Sequence, residues 1–242
     1  HQTRVPRFVR KVLDAHTKHV ENPIESLDRF RSNAAWVLLG EPGAGKTTAF
    51  EMESEAIGGE YLRLDEFTHL DIESNWHGKT LFLDSLDEVR AGTGGDSLLL
   101  RVRRQLKRLG NPSFRIACRA VDWYGSTDRV ELESASPNNQ ITVLLLEPLS
   151  DENILTLLRK NYSIDDPQAF VVEAEKRGVA ALLDNPQTLE LLVKAVVGGG
   201  RWPKTRDETY QLACEQLAIE ANKRHRDKKR TTLFPIEKVL DA

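Results

Sequence analysis

The chain has 242 residues, of which 40% are hydrophobic and 29% charged, and a formal net charge of −3. That length accommodates one large domain or two small ones around a sizeable core, and the composition is that of an ordinary soluble globular protein. The near-balanced charge gives no global reason to expect nucleic acid as the main partner, and no apolar run approaches the roughly 18 residues a membrane helix needs.

Residues 1–33 are predicted mostly helical, because Phe8, Val9, Val12 and Leu13 fall at helical spacing. The first residues are charged and lack an apolar stretch, so no signal peptide is read there and a cytoplasmic location is expected. Short apolar runs then alternate with helical stretches. Strands are predicted at Trp36–Leu39, Tyr61–Leu64, Thr80–Leu83, Phe114–Cys118 and Ile141–Leu146, with helices at 46–57, 65–76 and 97–109. Such alternation argues for a parallel sheet covered on both faces, an α/β core over 34–149. After Glu147-Pro148-Leu149 the strand signals stop, and 151–160, 167–177, 179–197 and 206–226 read as amphipathic helices of an all-helical lobe, 150–230. Ser150 and Asp151 are placed to cap the first of these, and Pro186 interrupts the third after Asn185. The run from Lys223 to Arg230 reads as a solvated helix end; no interleaved aromatics support a nucleic-acid contact there. Cys118 and Cys214 lack metal-ligand spacing and read as reduced thiols of an intracellular protein. The chain begins at His1 rather than Met and stops as a helix starts at Pro235, so it reads as a segment of a longer protein, with 231–242 opening a further domain.

One segment carries most of the chemical information. Gly40, Glu41, Pro42, Gly43, Ala44, Gly45, Lys46 and Thr47 form a complete G-x-x-x-x-G-K-[ST] phosphate loop, followed by Thr48. It sits between an apolar strand and a helix start, where free N–H groups point at an anion and glycines let the backbone approach phosphate oxygens. Lys46 supplies charge to the outer phosphates and Thr47 a hydroxyl to Mg²⁺. About 40 residues on, Leu81-Phe82-Leu83-Asp84-Ser85-Leu86-Asp87-Glu88 ends an apolar strand in three carboxylates. Ligands bind outside the carboxyl ends of parallel strands, so Asp84 is the predicted Mg²⁺ carboxylate, acting through water. Asp87 and Glu88 are candidates for orienting an attacking water. Glu88 is preferred, although spacing alone does not separate them, and both could simply cap a loop. Arg119 ends the next strand and could sense developing phosphoryl charge. No Asn-Lys-x-Asp guanine-reading element is present, which favours ATP over GTP.

Together, Gly40–Thr47, the strand ending in Asp84-Ser85-Leu86-Asp87-Glu88, the Cys118-Arg119 element and Asn185-Pro186 resemble the NACHT branch of the STAND ATPases, over nearly the whole chain. The small residue Ser85 after the metal aspartate, with acids at 87 and 88, carries the distinction from most other phosphate-loop families. The resemblance implies a core sheet in the order 5-1-4-3-2, Pro186 near the adenine, and a base pocket built partly by Arg4–Phe8, including Val5 and Pro6. The segments Ala117–Trp123 and Asn185–Val193 look most similar to bacterial antiviral STAND proteins. That similarity implies an ATP/ADP-dependent switch between a fused effector and a sensor of a foreign protein, which oligomerises with copies of itself. Arg101, Arg103 and Arg104 are candidates for an arginine supplied in trans. The winged-helix histidine that holds ADP in animal NACHT proteins has no counterpart; His225 is in the wrong context. A turnover remodelling ATPase is the competing expectation, and a small-molecule kinase the weakest, since no acceptor pocket is evident after residue 150.

Overall fold

The computed structural model describes residues 3–12, 22–86, 96–198, 200, 202–205, 207, 208 and 211. Two compact units divide the chain, one from Pro6 to Pro148 and the other from Leu149 onward together with the first five residues.

The first unit is built on a seven-stranded sheet. Its strands are β1 (Phe8–Lys11), β2 (Glu25–Ser26), β3 (Ala35–Gly40), β4 (Glu60–Arg63), β5 (Leu81–Asp84), β6 (Phe114–Arg119) and β7 (Thr142–Leu146). Their spatial order is β2-β1-β7-β3-β6-β5-β4. The five strands from β3 to β7 pair in parallel, and counted among themselves they run 5-1-4-3-2, the predicted order. All six residues of β3 are buried, as expected of a central strand covered on both faces. Alternation sorts them: Ala35, Val37 and Leu39 join one core layer, Trp36 and Leu38 the other.

Helix α1 (Lys46–Ile57) covers the Trp36 face. There Trp36, Phe50 and Phe82 meet edge to face, with centroids 5.5 to 6.3 Å apart. Each such pair adds about 1 kcal/mol beyond area burial, so Phe50→Ala should cost about 3–5 kcal/mol. The opposite face is covered by α2 (Leu64–His69), α3 (Asp96–Arg108) and α4 (Ser126–Glu133), through Phe67, Leu98, Val102, Leu106 and Leu132. The helix predicted over 65–76 is therefore two pieces: α2 ends at His69, and a 3₁₀ turn at Ser74–Trp76 buries Trp76.

The N-terminal segment corrects the sequence reading. Its described residues form no α-helix. Phe8–Lys11 is a strand lying antiparallel to β7, with Val9 opposite Leu146 and fully buried. Glu25–Ser26 pairs with β1 and leads into a 3₁₀ turn, Leu27–Phe30. The pairing energy comes from residues about 137 positions away, which no local periodicity reveals.

The second unit is helical. Its described helices include α5 (Asp151–Asn161), α6 (Pro167–Lys176) and α7 (Pro186–Val193). The N-cap side chains Ser150, Asp166 and Asn185 accept from the amides of Asn153, Ala169 and Gln187, and Pro occupies the first position of the last two. The predicted 179–197 helix is interrupted where Pro186 foretold, with a 3₁₀ turn before it (Ala180–Leu182) and a π turn after it (Lys194–Gly198). Val5, Ile154, Leu158, Phe170, Leu189 and Leu192 pack in its core. Most of the predicted 206–226 helix, Cys214, the 223–230 basic run and 231–242 lie outside the described residues.

Candidate phosphate and metal site

The turn after β3 is shaped by two glycines with left-handed backbone, Gly43 at φ 72° and Gly45 at φ 90°, which side-chain-bearing residues adopt at a cost. Gly45 is also the N-cap of α1, so the helix opens directly from the loop. Gly40 is constrained by space instead. A Cβ there would lie 3.3 Å from the Leu146 Cβ and 3.5 Å from the Lys46 stem. The Lys46 stem crosses Gly40, and its ammonium donates to the carbonyls of Gly40 (2.9 Å) and Glu41 (3.1 Å). A cation is thus held at the loop mouth by the loop's own backbone.

Thr47, in the first turn of α1, donates its hydroxyl to Asp84 Oδ2 at 2.7 Å. Asp84 is the last residue of β5 and is 3% exposed. The two predicted metal groups are therefore brought together although 37 positions apart. A second hydroxyl reaches the same oxygen: Tyr61 of β4 donates to Asp84 Oδ2 at 2.9 Å. Burial, then the charge of Asp84 and that hydrogen bond, push the Tyr61 phenol well above the ordinary tyrosine range. Sequence reasoning missed Tyr61; nothing in a β-strand tyrosine announces that its tip will meet a carboxylate one strand away.

Residue 85 is unusual as well. Ser85 has φ 71°, a left-handed conformation that strains a non-glycine residue, immediately after Asp84, the predicted metal carboxylate. Arg119 ends β6 with its Cα in register with Gly40, and its side chain is exposed. Asp87 and Glu88 lie outside the described residues. Val5 and Pro186 belong to the helical unit, Val5 in its core and Pro186 opening α7, whereas Pro6 begins the α/β unit. Of the trans-arginine candidates on α3, Arg103 is already paired with Glu131 of α4 at 2.7 Å, while Arg101 and Arg104 are exposed.

These residues fit a magnesium-bound phosphate chain. Among the described residues there is no cluster of three or more His, Cys, Asp or Glu, as a transition-metal centre would require. Magnesium asks for less, often one or two protein oxygens completed by phosphate and water, and the Thr47–Asp84 pair supplies that. The glycine loop at a helix N-terminus supplies amides for the anion.

No protein-family model matches the chain. Among curated proteins the chain is similar to an uncharacterised AAA domain-containing protein of Mycobacterium tuberculosis, 25% identical, the match covering 86% of this chain and 44% of that protein. The chain thus spans less than half the length of that relative. Among solved structures, domain III of the Thermotoga maritima replication initiation protein DnaA aligns with a TM-score of 0.46 and 15% identity, covering 76% of this chain and 86% of the other. The Thermotoga maritima Holliday junction branch migration motor RuvB aligns with a TM-score of 0.41 and 13% identity, covering 83% and 73%. Among the described residues, no helix is long and apolar enough to cross a membrane.

Proposed function

We propose that this chain is an ATP-binding and ATP-hydrolysing switch module of a larger signalling protein. The observation that carries the nucleotide reading is the Thr47 hydroxyl on Asp84 at 2.7 Å, at the head of a helix opened by a glycine loop. In that reading the amides of Gly43–Thr47 hold phosphate oxygens, Lys46 offsets their charge, and Thr47 and Asp84 hold Mg²⁺. The metal, when bound, neutralises the triphosphate and fixes its orientation. Glu88, or Asp87 in its place, orients the attacking water. Arg119, anchored beside Gly40, meets charge developing on the γ-phosphate. Phosphoryl transfer needs little more than this positioning and charge stabilisation.

The resemblance to NACHT modules supports a switch: the nucleotide state controls assembly of identical protomers in the cytoplasm, a sensor region answers a foreign protein, and an effector is activated, as in antiviral defence. The same resemblance assigns Val5, Pro6 and Pro186 to recognition of the base. The AAA domain in the name of the mycobacterial relative supports the second reading, a turnover remodelling ATPase. Glu88→Gln separates the two. The mass of the purified protein with ATP–Mg²⁺ and with ADP, together with phosphate release, is the measurement. A switch variant assembles with ATP and stays assembled without phosphate release; a motor variant loses its mechanical output. Bound ATP with identical mass in every nucleotide state would count against the switch.

A further inference from the structure

Arg7 is a cation buried in the α/β unit, 7% exposed, and it makes no ion pair with any described residue. Its guanidinium instead bridges two backbone carbonyls far apart in sequence. Nη1 donates to Ala44 in the phosphate loop at 2.6 Å, and Nη2 to Glu147 at the end of β7 at 2.7 Å. Its Nε is buried without a partner. Burial alone draws the group down to about 10, so it remains charged at neutral pH. Hydrogen bonds tie down the backbone on both sides of it. The Arg7 carbonyl accepts from Leu27, and the Glu147 amide donates to Phe8. The Glu147 carboxylate is gripped by Arg10 at 2.6 and 3.0 Å.

The contact with Ala44 has a geometric consequence. None of the described peptide bonds is cis, so across the Ala44–Gly45 bond the C=O and the following N–H point in opposite directions. Drawing the Ala44 carbonyl toward Arg7 turns the Gly45 N–H away from it. Among the described residues no group accepts that N–H. We infer that Arg7 is a positioning residue for the phosphate cradle: it fixes the Ala44–Gly45 peptide plane so that the Gly45 amide faces a bound phosphate, and its charge stands behind the loop. This rests on the nucleotide reading above. It deepens that reading by assigning the segment around Pro6 a role on the phosphate side, beyond the base side implied by the resemblance.

An uncompensated buried cation is costly unless an opposite charge arrives. The inference therefore predicts an effect on anion binding more than on the empty fold. The test titrates ATP–Mg²⁺ and inorganic triphosphate–Mg²⁺ into the parent, Arg7→Met and Arg7→Lys, with urea unfolding in parallel. Arg7→Met should weaken both ligands by the same factor, roughly ten- to a hundredfold, as expected for losing charge-assisted hydrogen bonds. Arg7→Lys keeps the charge but cannot span both carbonyls, and should fall between. Unchanged triphosphate affinity in either variant, or a loss confined to ATP, would overturn the inference in favour of a structural or base-side role. Should Arg7→Met fail to fold, Arg7→Lys decides by the same comparison. A parent that binds neither ligand would overturn the nucleotide reading itself, and with it this inference.

Discussion

Among the described residues of the α/β unit two arginines are buried, at opposite ends of its parallel strands. Arg115, near the start of β6, is 1% exposed and donates to the carbonyls of Ala34, Phe114 and Arg31 at 2.9–3.0 Å, with its guanidinium carbon 5.0 Å from the Trp36 ring centroid. Burial pulls it down to about 10, and the charge of Glu53 pulls it back. That carboxylate is itself held by Arg31 in two hydrogen bonds. Arg7, at the loop end, has two carbonyls and, among the described residues, no such carboxylate; the Nε is unpartnered in both arginines. The fold supplies Arg115 with an aromatic face and a countercharge from its own residues. Among the described residues none supplies Arg7 with a countercharge, and in the nucleotide reading proposed above a bound phosphate would. One end of the sheet is finished; the other is arranged for something to arrive.

The contrast is open to breaking. The largest expected effect is at the finished end: Arg115→Met strands three carbonyls and should cost about 3 kcal/mol in urea unfolding, while ATP affinity per folded molecule stays at the parent value. A variant that kept its stability but lost affinity would erase the distinction from Arg7.

Tyr61 sharpens the comparison at the loop end through pH. An acid whose folded pKa lies above its unfolded value makes the folded state hold the proton more tightly. The stability this confers is fully present below the unfolded value of about 10 and is lost as pH rises from there through the higher folded value. The parent should therefore lose stability above pH 10 more steeply than Tyr61→Phe, and Tyr61 should be among the last phenols to ionise by absorbance. Equal alkaline slopes would mean that the phenol does not lean on Asp84.

The smallest effect belongs to Ser85. Relieving its left-handed backbone with Ser85→Gly should gain at most about 1 kcal/mol, offset in part by the greater freedom of glycine in the unfolded chain. Thermal unfolding checks this. A loss of stability would show that the serine side chain matters more than the strain.

Legibility from sequence follows the range of the interactions involved. The parallel strands were readable because most are short apolar runs, β4 (Glu60–Arg63) being the exception, and α1 because the loop motif announces its first residue. Lys46–Ile57 is the predicted 46–57. Thr47 and Asp84 were readable as a pair because strand tips converge in this topology. The edge strand β1 was misread, since Phe8, Val9 and Val12 satisfy a helical spacing over a segment whose real partner is β7. Helix α4 was missed because Ser126–Glu133 is short and polar, with Asp128 and Leu132 its buried side chains. Arg7 and Tyr61 left no local trace: their partners lie 37 and 140 positions away for the one, and 23 for the other.

The central claim is that Gly40–Thr47 and Asp84 form a magnesium–triphosphate site. Calorimetric titration of ATP into the parent, Lys46→Ala and Asp84→Asn, each with and without Mg²⁺, tests it most directly. The parent should bind more tightly with Mg²⁺, Asp84→Asn should lose that difference, and Lys46→Ala should bind roughly a hundredfold more weakly. Equal affinity in all three proteins, indifferent to Mg²⁺, would contradict it.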